Sequence, residues 1–126
     1  MAKTHGNHPE LTPVIIVDGA ADFIAFVAAA FGGVQTELYP GENGKIGHAE
    51  IQIGSALLMT CDPMPDFPVQ TARLMLYVDN LDGTYARAIA AGAKGLTPPE
   101  SHPEYGMATA RVQDRWGNYW TLAKAL

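Results

Sequence analysis

The chain has 126 residues, 48% of them hydrophobic, which is enough apolar material for one domain with a packed core. Thirteen acidic against eight basic side chains leave a formal charge of −5 and exclude a phosphate-backbone partner, which calls for clustered Lys and Arg. The lone Cys61 excludes an internal disulfide, no apolar run reaches the ~18 residues of a membrane span, and the polar start lacks a signal-peptide core, so a soluble cytoplasmic protein is expected. Residues 1–10 are polar and aperiodic and read as a loose tail. His5 and His8 have a spacing that can clip a metal, but on such a tail a solvated pair is the expected reading.

Thr12 to Val17 is β-branched and reads as a strand, and Asp18 is placed to cap a helix over Ala20–Phe31 that Gly32-Gly33 ends. That helix is apolar nearly all round; either it is sandwiched inside the fold or its outer side meets another subunit. Strands follow at Val34–Tyr39, Ile46–Ile53 and Ala56–Cys61, separated by Pro40–Gly44 and Gly54-Ser55. Gly44-Lys45 lacks the longer glycine spacing and the Ser or Thr of a phosphate loop, so it reads as a hairpin turn. Three prolines between Asp62 and Gln70 make that stretch a linker. Arg73–Val78 is the next strand, Leu81–Ala91 a helix and Gly92–Thr97 a short strand, with Pro98-Pro99 opening a loop through His102-Pro103. The chain closes in a hairpin, Thr109–Gln113 and Tyr119–Leu122, whose turn needs the positive φ that Gly117 supplies.

Val17-Asp18 recurs as Val78-Asp79, a shift of 61, and helix, strand and final hairpin then repeat in order. The reading is a single domain over 11–126, built from two β-α-β-β-β modules at about 12–62 and 71–125 joined by the 62–70 linker.

These features resemble the vicinal oxygen chelate superfamily of glyoxalases, bleomycin-resistance proteins and extradiol dioxygenases, over roughly residues 11–124 and especially its PhnB-like or bleomycin-resistance-like branch. The resemblance rests on Val17-Asp18 leading to Phe26 and Phe31-Gly32, on His48-Ala49-Glu50-Ile51 before Ile53-Gly54, on Tyr77-Val78-Asp79, and on Val112-Gln113-Asp114-Arg115-Trp116-Gly117-Asn118-Tyr119-Trp120. It implies an α+β fold, a curved eight-stranded mixed sheet around a cavity with helices outside, and a homodimer. The enzymes of the family place four metal ligands, usually His, Glu or Gln. Here those places fall on Thr12 and Arg73 and on Leu58 (or Met59) and Thr121, none of them a good ligand for a divalent ion. No metal and no cofactor are therefore expected.

Alternation along the strands gives the rest. If Ile15, Val17, Ala49, Ile51, Ile53, Leu74, Leu76, Val78, Val112, Trp120 and Leu122 face the helices, the opposite face carries Thr12, Val14, Ile16, His48, Glu50, Gln52, Thr60, Arg73, Met75, Tyr77, Thr109, Arg111, Gln113, Tyr119 and Thr121. Such alternation also describes a plain solvated face. The mix of Met, Tyr and aliphatic groups with a few charges is that of a ligand site, and the ligand-binding candidates are Thr12, His48, Glu50, Arg73, Tyr77, Arg111, Gln113, Tyr119 and Thr121. Three roles compete for His48 and Glu50: pairing with Arg73 or Arg111, ligand binding or proton transfer, and a relocated metal site with His102. Phe67 and Trp116 are placed to rim the site.

The expected function is metal-free binding or sequestration of a small molecule. The alternatives are a lyase, isomerase or dioxygenase acting on a small carbonyl or aromatic substrate, with His48 and Glu50 as catalytic candidates, and a partner protein that associates through the first helix. No nucleic-acid or membrane partner is expected.

Overall fold

The computed structural model describes residues 2–126; Met1, part of the expected tail, lies outside the described residues. The fold is α+β, with eight strands and two α-helices: β1 (Val14–Ile16), α1 (Ala20–Phe31), β2 (Val34–Pro40), β3 (Ile46–Ile53), β4 (Ala56–Cys61), β5 (Arg73–Tyr77), α2 (Leu81–Ala90), β6 (Lys94–His102), β7 (Met107–Gln113) and β8 (Tyr119–Ala125). The strands form two four-stranded mixed sheets, ordered β1-β4-β3-β2 and β5-β8-β7-β6. The chain divides into two compact units, one of residues up to Ala28 with Gly32–Gln70, the other of Ala29–Phe31 with Thr71–Leu126.

In the first unit β1 runs parallel to β4, and β4, β3 and β2 are antiparallel to one another. The two-residue turn Gly54-Ser55 sets Ile53 against Ala56, which fixes every later pair: Ile51 with Leu58, Glu50 with Met59, Ala49 with Thr60. Thr60 therefore shares the buried face of Ile15 and Ala49, correcting its expected place on the opposite face. It is fully buried and its hydroxyl donates to the Ile15 carbonyl at 2.7 Å. The same register makes Leu58 a core residue and puts Met59 on the face of Glu50. Gly33 is where α1 meets this core: a Cβ there would lie 2.7 Å from Val27 Cγ1 and 2.9 Å from Ile51 Cγ2.

Asp18 does not cap α1. The N-cap is Gly19, Asp18 is exposed, and the carboxylate that receives the helix start is Asp62 at the end of β4. Its Oδ1 accepts from the Gly19 and Ala20 amides at 2.8 and 3.1 Å, and its Oδ2 accepts from Ile46 at 2.8 Å. One buried side chain thus ties β3, β4 and α1 together and satisfies donors that a helix start leaves open. The large apolar side chains of α1 (Phe23, Ile24, Phe26 and Val27) are buried within the chain, and its exposed positions are Ala21, Asp22, Ala25, Ala28 and Ala29. Of the two fates considered for this helix, burial is observed for Phe23 and Phe26, while Phe31 is half-buried.

The expected loose tail is folded back in part: His8 N–H closes a turn on the His5 carbonyl and the His8 ring reaches β3.

In the second unit β5 runs parallel to β8, and β8, β7 and β6 are antiparallel. Asn80 caps α2, its side-chain oxygen accepting from the Gly83 amide at 3.0 Å. The expected short strand and Pro98-Pro99 loop are replaced by one nine-residue strand, Lys94–His102. Proline is barred from central strands because it gives no N–H to the ladder, but β6 is the outermost strand of its sheet, and its register slips between Gly95 and Thr97 and again between Thr97 and Glu100. The closing turn runs from Asp114 to Asn118 with Gly117 at φ 101°. Asp114 organises it, Oδ1 accepting from the Trp116 and Asn118 amides at 3.1 and 2.9 Å and Oδ2 from the Asn118 side-chain amide and the Trp120 indole at 3.0 and 2.9 Å. Asn118 Oδ1 in turn accepts from the Ala72 amide at 2.8 Å, holding the start of β5 to the turn.

Candidate functional site

The candidates fall into two groups, one in each unit. In the first, His48 and Glu50 lie two apart on β3, on the face away from Ile51. Glu50 is 6% exposed and its oxygens are taken by two imidazoles: His8 Nε2 donates to Oε1 at 2.8 Å and His48 Nε2 to Oε2 at 2.9 Å. The His48 hydrogen bond works against burial and, with the bond and charge of His8, holds the Glu50 carboxyl below the usual carboxylate range. The Tyr39 ring lies 5.9 Å from that of His48. Beside the trio is a cavity of about 520 Å³ lined by His5, His8, Glu37, Glu50, Gln52 and Leu57 among others. Thr12 is half-buried just before β1.

His8 is the member that sequence reading missed. It lies 42 residues from Glu50 on a segment without periodicity, and the only signal was a histidine in an otherwise polar tail.

In the second unit the register builds a face row by row. Arg73, Tyr119, Gln113 and Lys94 stand side by side across β5, β8, β7 and β6; Met75, Thr121, Arg111 and Thr97 form the next row, and Tyr77, Ala123, Thr109 and Glu100 the third. The partner face (Leu74, Trp120 and Val112, then Leu76, Leu122 and Ala110) is the apolar one, so the expected alternation holds here throughout. Arg73 lies with its guanidinium carbon 4.4 Å from the Tyr119 ring centroid, a cation–π stack. Arg111 donates from Nη2 and Nε to Thr97 Oγ1 at 3.0 and 3.3 Å. Met75 and Tyr77, neighbours on this face, are 50% and 63% exposed.

Glu50 is satisfied by His8 and His48 within its own unit, and each arginine is held in its own by a ring or a hydroxyl. His102 sits at the end of β6 with Glu100 at 3.8 Å and Glu104 at 3.3 Å. Phe67 is exposed in the linker and Trp116 is half-buried beneath the Arg115 guanidinium.

The family's metal does not fit this chain. Its four places hold two hydroxyls, a guanidinium and a thioether or an isobutyl group (Thr12, Thr121, Arg73, and Met59 or Leu58), and a fixed cation in the set repels a divalent ion. Among the described residues, no three His, Cys, Asp or Glu side chains are disposed to hold one.

Each unit carries the β-α-β-β-β order, with its first strand parallel to its last. The family model of the glyoxalase/bleomycin resistance protein/dioxygenase superfamily matches residues 7–122. The chain belongs to that superfamily. This superfamily member is 31% identical over 130 residues to the uncharacterized protein Mb0911c of Mycobacterium bovis, a match covering 92% of this chain and 83% of that one. Among solved structures, TioX from Micromonospora sp. ML1 is similar with a TM-score of 0.78 at 19% identity, covering 94% of this chain and 100% of that one. TnmS3, an antibiotic binding protein from Streptomyces sp. CB03234, is similar with a TM-score of 0.69 at 20% identity, covering 97% and 100%. At these identities the structures speak for the shared fold. No helix among the described residues is long and apolar enough to cross a membrane.

Proposed function

We propose that this superfamily member binds and sequesters a small organic molecule without using a metal. The observation that carries the reading is the open face of the second sheet. Met75 and Tyr77 stand exposed there beside the Arg73–Tyr119 stack, with Gln113, Thr121 and Arg111 as polar groups to orient a ligand. Thr12, His48 and Glu50 are the separate ligand-binding candidates of the first unit. The likeness to TnmS3, an antibiotic binding protein, supports the class of function. The reading extends to a cytoplasmic homodimer, checked by sedimentation of the purified protein.

The test is a thermal-shift screen of antibiotics and aromatic metabolites, followed by calorimetry on the hits. A ligand at about one hundred times its Kd stabilises by roughly 2.7 kcal/mol, an easily read rise in Tm. Tyr77→Ala is expected to weaken binding about tenfold while leaving the free protein's Tm within a degree or two. A screen in which nothing shifts Tm overturns the proposal.

One observation favours a second reading, acid–base catalysis. A buried carboxylate that accepts from two imidazoles fixes their orientation, the arrangement of a proton-transfer site. Turnover of an α-carbonyl substrate that collapses in His48→Ala supports this reading; turnover unchanged in that variant removes His48 from any mechanism.

A further inference from the structure

The charge on the open face of the second sheet runs against the charge of the protein. The chain carries −5 overall and has eight Lys and Arg side chains, yet Arg73, Lys94 and Arg111 all stand on this one face. Among the described residues none of the three is ion-paired with a carboxylate: Arg73 lies over Tyr119 and Arg111 is held by a neutral hydroxyl. The one carboxylate on the face, Glu100, is in the third row, with His102 Nε2 at 3.8 Å.

An arginine stacked on a tyrosine keeps its N–H groups in the ring plane's surroundings, directed outward along its edges, and remains able to fork onto a carboxylate or sulfonate. Arg111, anchored by Nε and Nη2 on Thr97, has its remaining guanidinium donors to offer. Gln113, between Tyr119 and Lys94 in the first row, adds a neutral donor and acceptor. The apolar share of the same face is flat or flexible: the Tyr119 and Tyr77 rings and the Met75 thioether. Cations set around an aromatic and thioether floor match one ligand shape, a planar apolar body with an acidic group at its edge.

Resting on the small-molecule reading above, we infer that the ligand is an aromatic anion, its ring on Met75 and Tyr77 and its acidic group between Arg73 and Arg111. The net negative charge elsewhere argues against a polyanion such as nucleic acid, which needs a longer basic track.

The test uses three probes of one shape, 1-naphthoate, 1-naphthylmethanol and 1-naphthylmethylamine, titrated by calorimetry into the full-length protein. The naphthoate is expected to bind at least tenfold more tightly than the alcohol, and the amine more weakly than either. Arg73→Gln and Arg111→Gln are each expected to weaken naphthoate roughly 10- to 100-fold, leaving the alcohol nearly unchanged. Lys124→Gln, a cation outside these three rows, is expected to change nothing, and added salt weakens only the naphthoate. Equal binding of all three probes, or preference for the amine, overturns the anionic class while leaving small-molecule binding in place. Silence from all three, with hits of other chemistry in the screen, does the same. Silence from the probes and from the whole screen sinks the binding reading itself.

Discussion

Asp62→Ala is expected to lose about 3–4 kcal/mol of stability, because two buried backbone donors and a part-buried one then lack an acceptor, each costing roughly 1–3 kcal/mol less whatever water recovers. At about 4 °C per kcal/mol for a chain of this size, Tm falls by roughly 12–16 °C. The loss has an address: Gly19, Ala20 and Ile46 are the amides that Asp62 receives, and their hydrogen exchange quickens first. The charge contributes separately. Burial raises the Asp62 pKa, but the amides of Ile46, Ala20 and Gly19 and the charge of Lys45 overcome it and hold the carboxyl below its ordinary 3.8. A carboxyl lowered on folding stabilises fully above its unfolded pKa, and that stabilisation is lost as pH falls through the folded value. The Tm difference between wild type and Asp62→Asn is therefore widest above pH 4 and shrinks on further acidification. A difference that stays constant from neutral pH to pH 3 shows that the charge plays no part.

Asp114→Ala is expected to be as damaging, by about 3–4 kcal/mol, through the other unit. Four donors lose their acceptor at once: the Trp116 and Asn118 amides, the Asn118 side chain and the Trp120 indole. The indole is buried, so its loss of a partner is read directly as a change in tryptophan fluorescence and near-ultraviolet dichroism. Because Asn118 also holds Ala72, the start of β5 loosens with the turn and Arg73 loses its register beside Tyr119. Aromatic-anion binding should weaken in this variant even at temperatures where it is still folded. Retention of both stability and the tryptophan spectrum shows the carboxylate to be dispensable.

Much of this architecture was legible in the sequence because local rules and tertiary packing agree. Ala20–Phe31 reads as a helix from its apolar density and its Gly32 stop, and Ile46–Ile53 and Ala56–Cys61 read as strands from alternation; all three are observed with those bounds. The face of the second sheet was legible for the same reason, since the Asp114–Asn118 turn pins the register of β7 on β8. What was not legible depends on distance. Asp18 is the local candidate for capping α1, but Asp62 takes the role from across the unit, and no spacing rule connects residues 42 or 43 apart. His8 reaching Glu50 is the same kind of contact. Thr60 was misplaced because alternation was carried through the Gly54-Ser55 turn without counting the pairs that the turn imposes. Lys94 lies within the expected strand Gly92–Thr97, but no local turn sets the pairing that brings it beside Gln113.

Pro98 and Pro99 also bear on aggregation. The free side of an outermost strand is a template for a strand from another molecule, and every unpaired N–H there is an invitation to grow a fibril. In β6 two consecutive residues have no N–H to offer, and the register slips between Gly95 and Thr97 and across the prolines between Thr97 and Glu100 break the straight run that an incoming chain would need. The strand completes its own sheet and then refuses a fifth neighbour. Pro98→Val with Pro99→Thr should leave the fold nearly as stable as before while making concentrated solutions prone to thioflavin-positive aggregation, a fault that no measurement on dilute monomer would reveal.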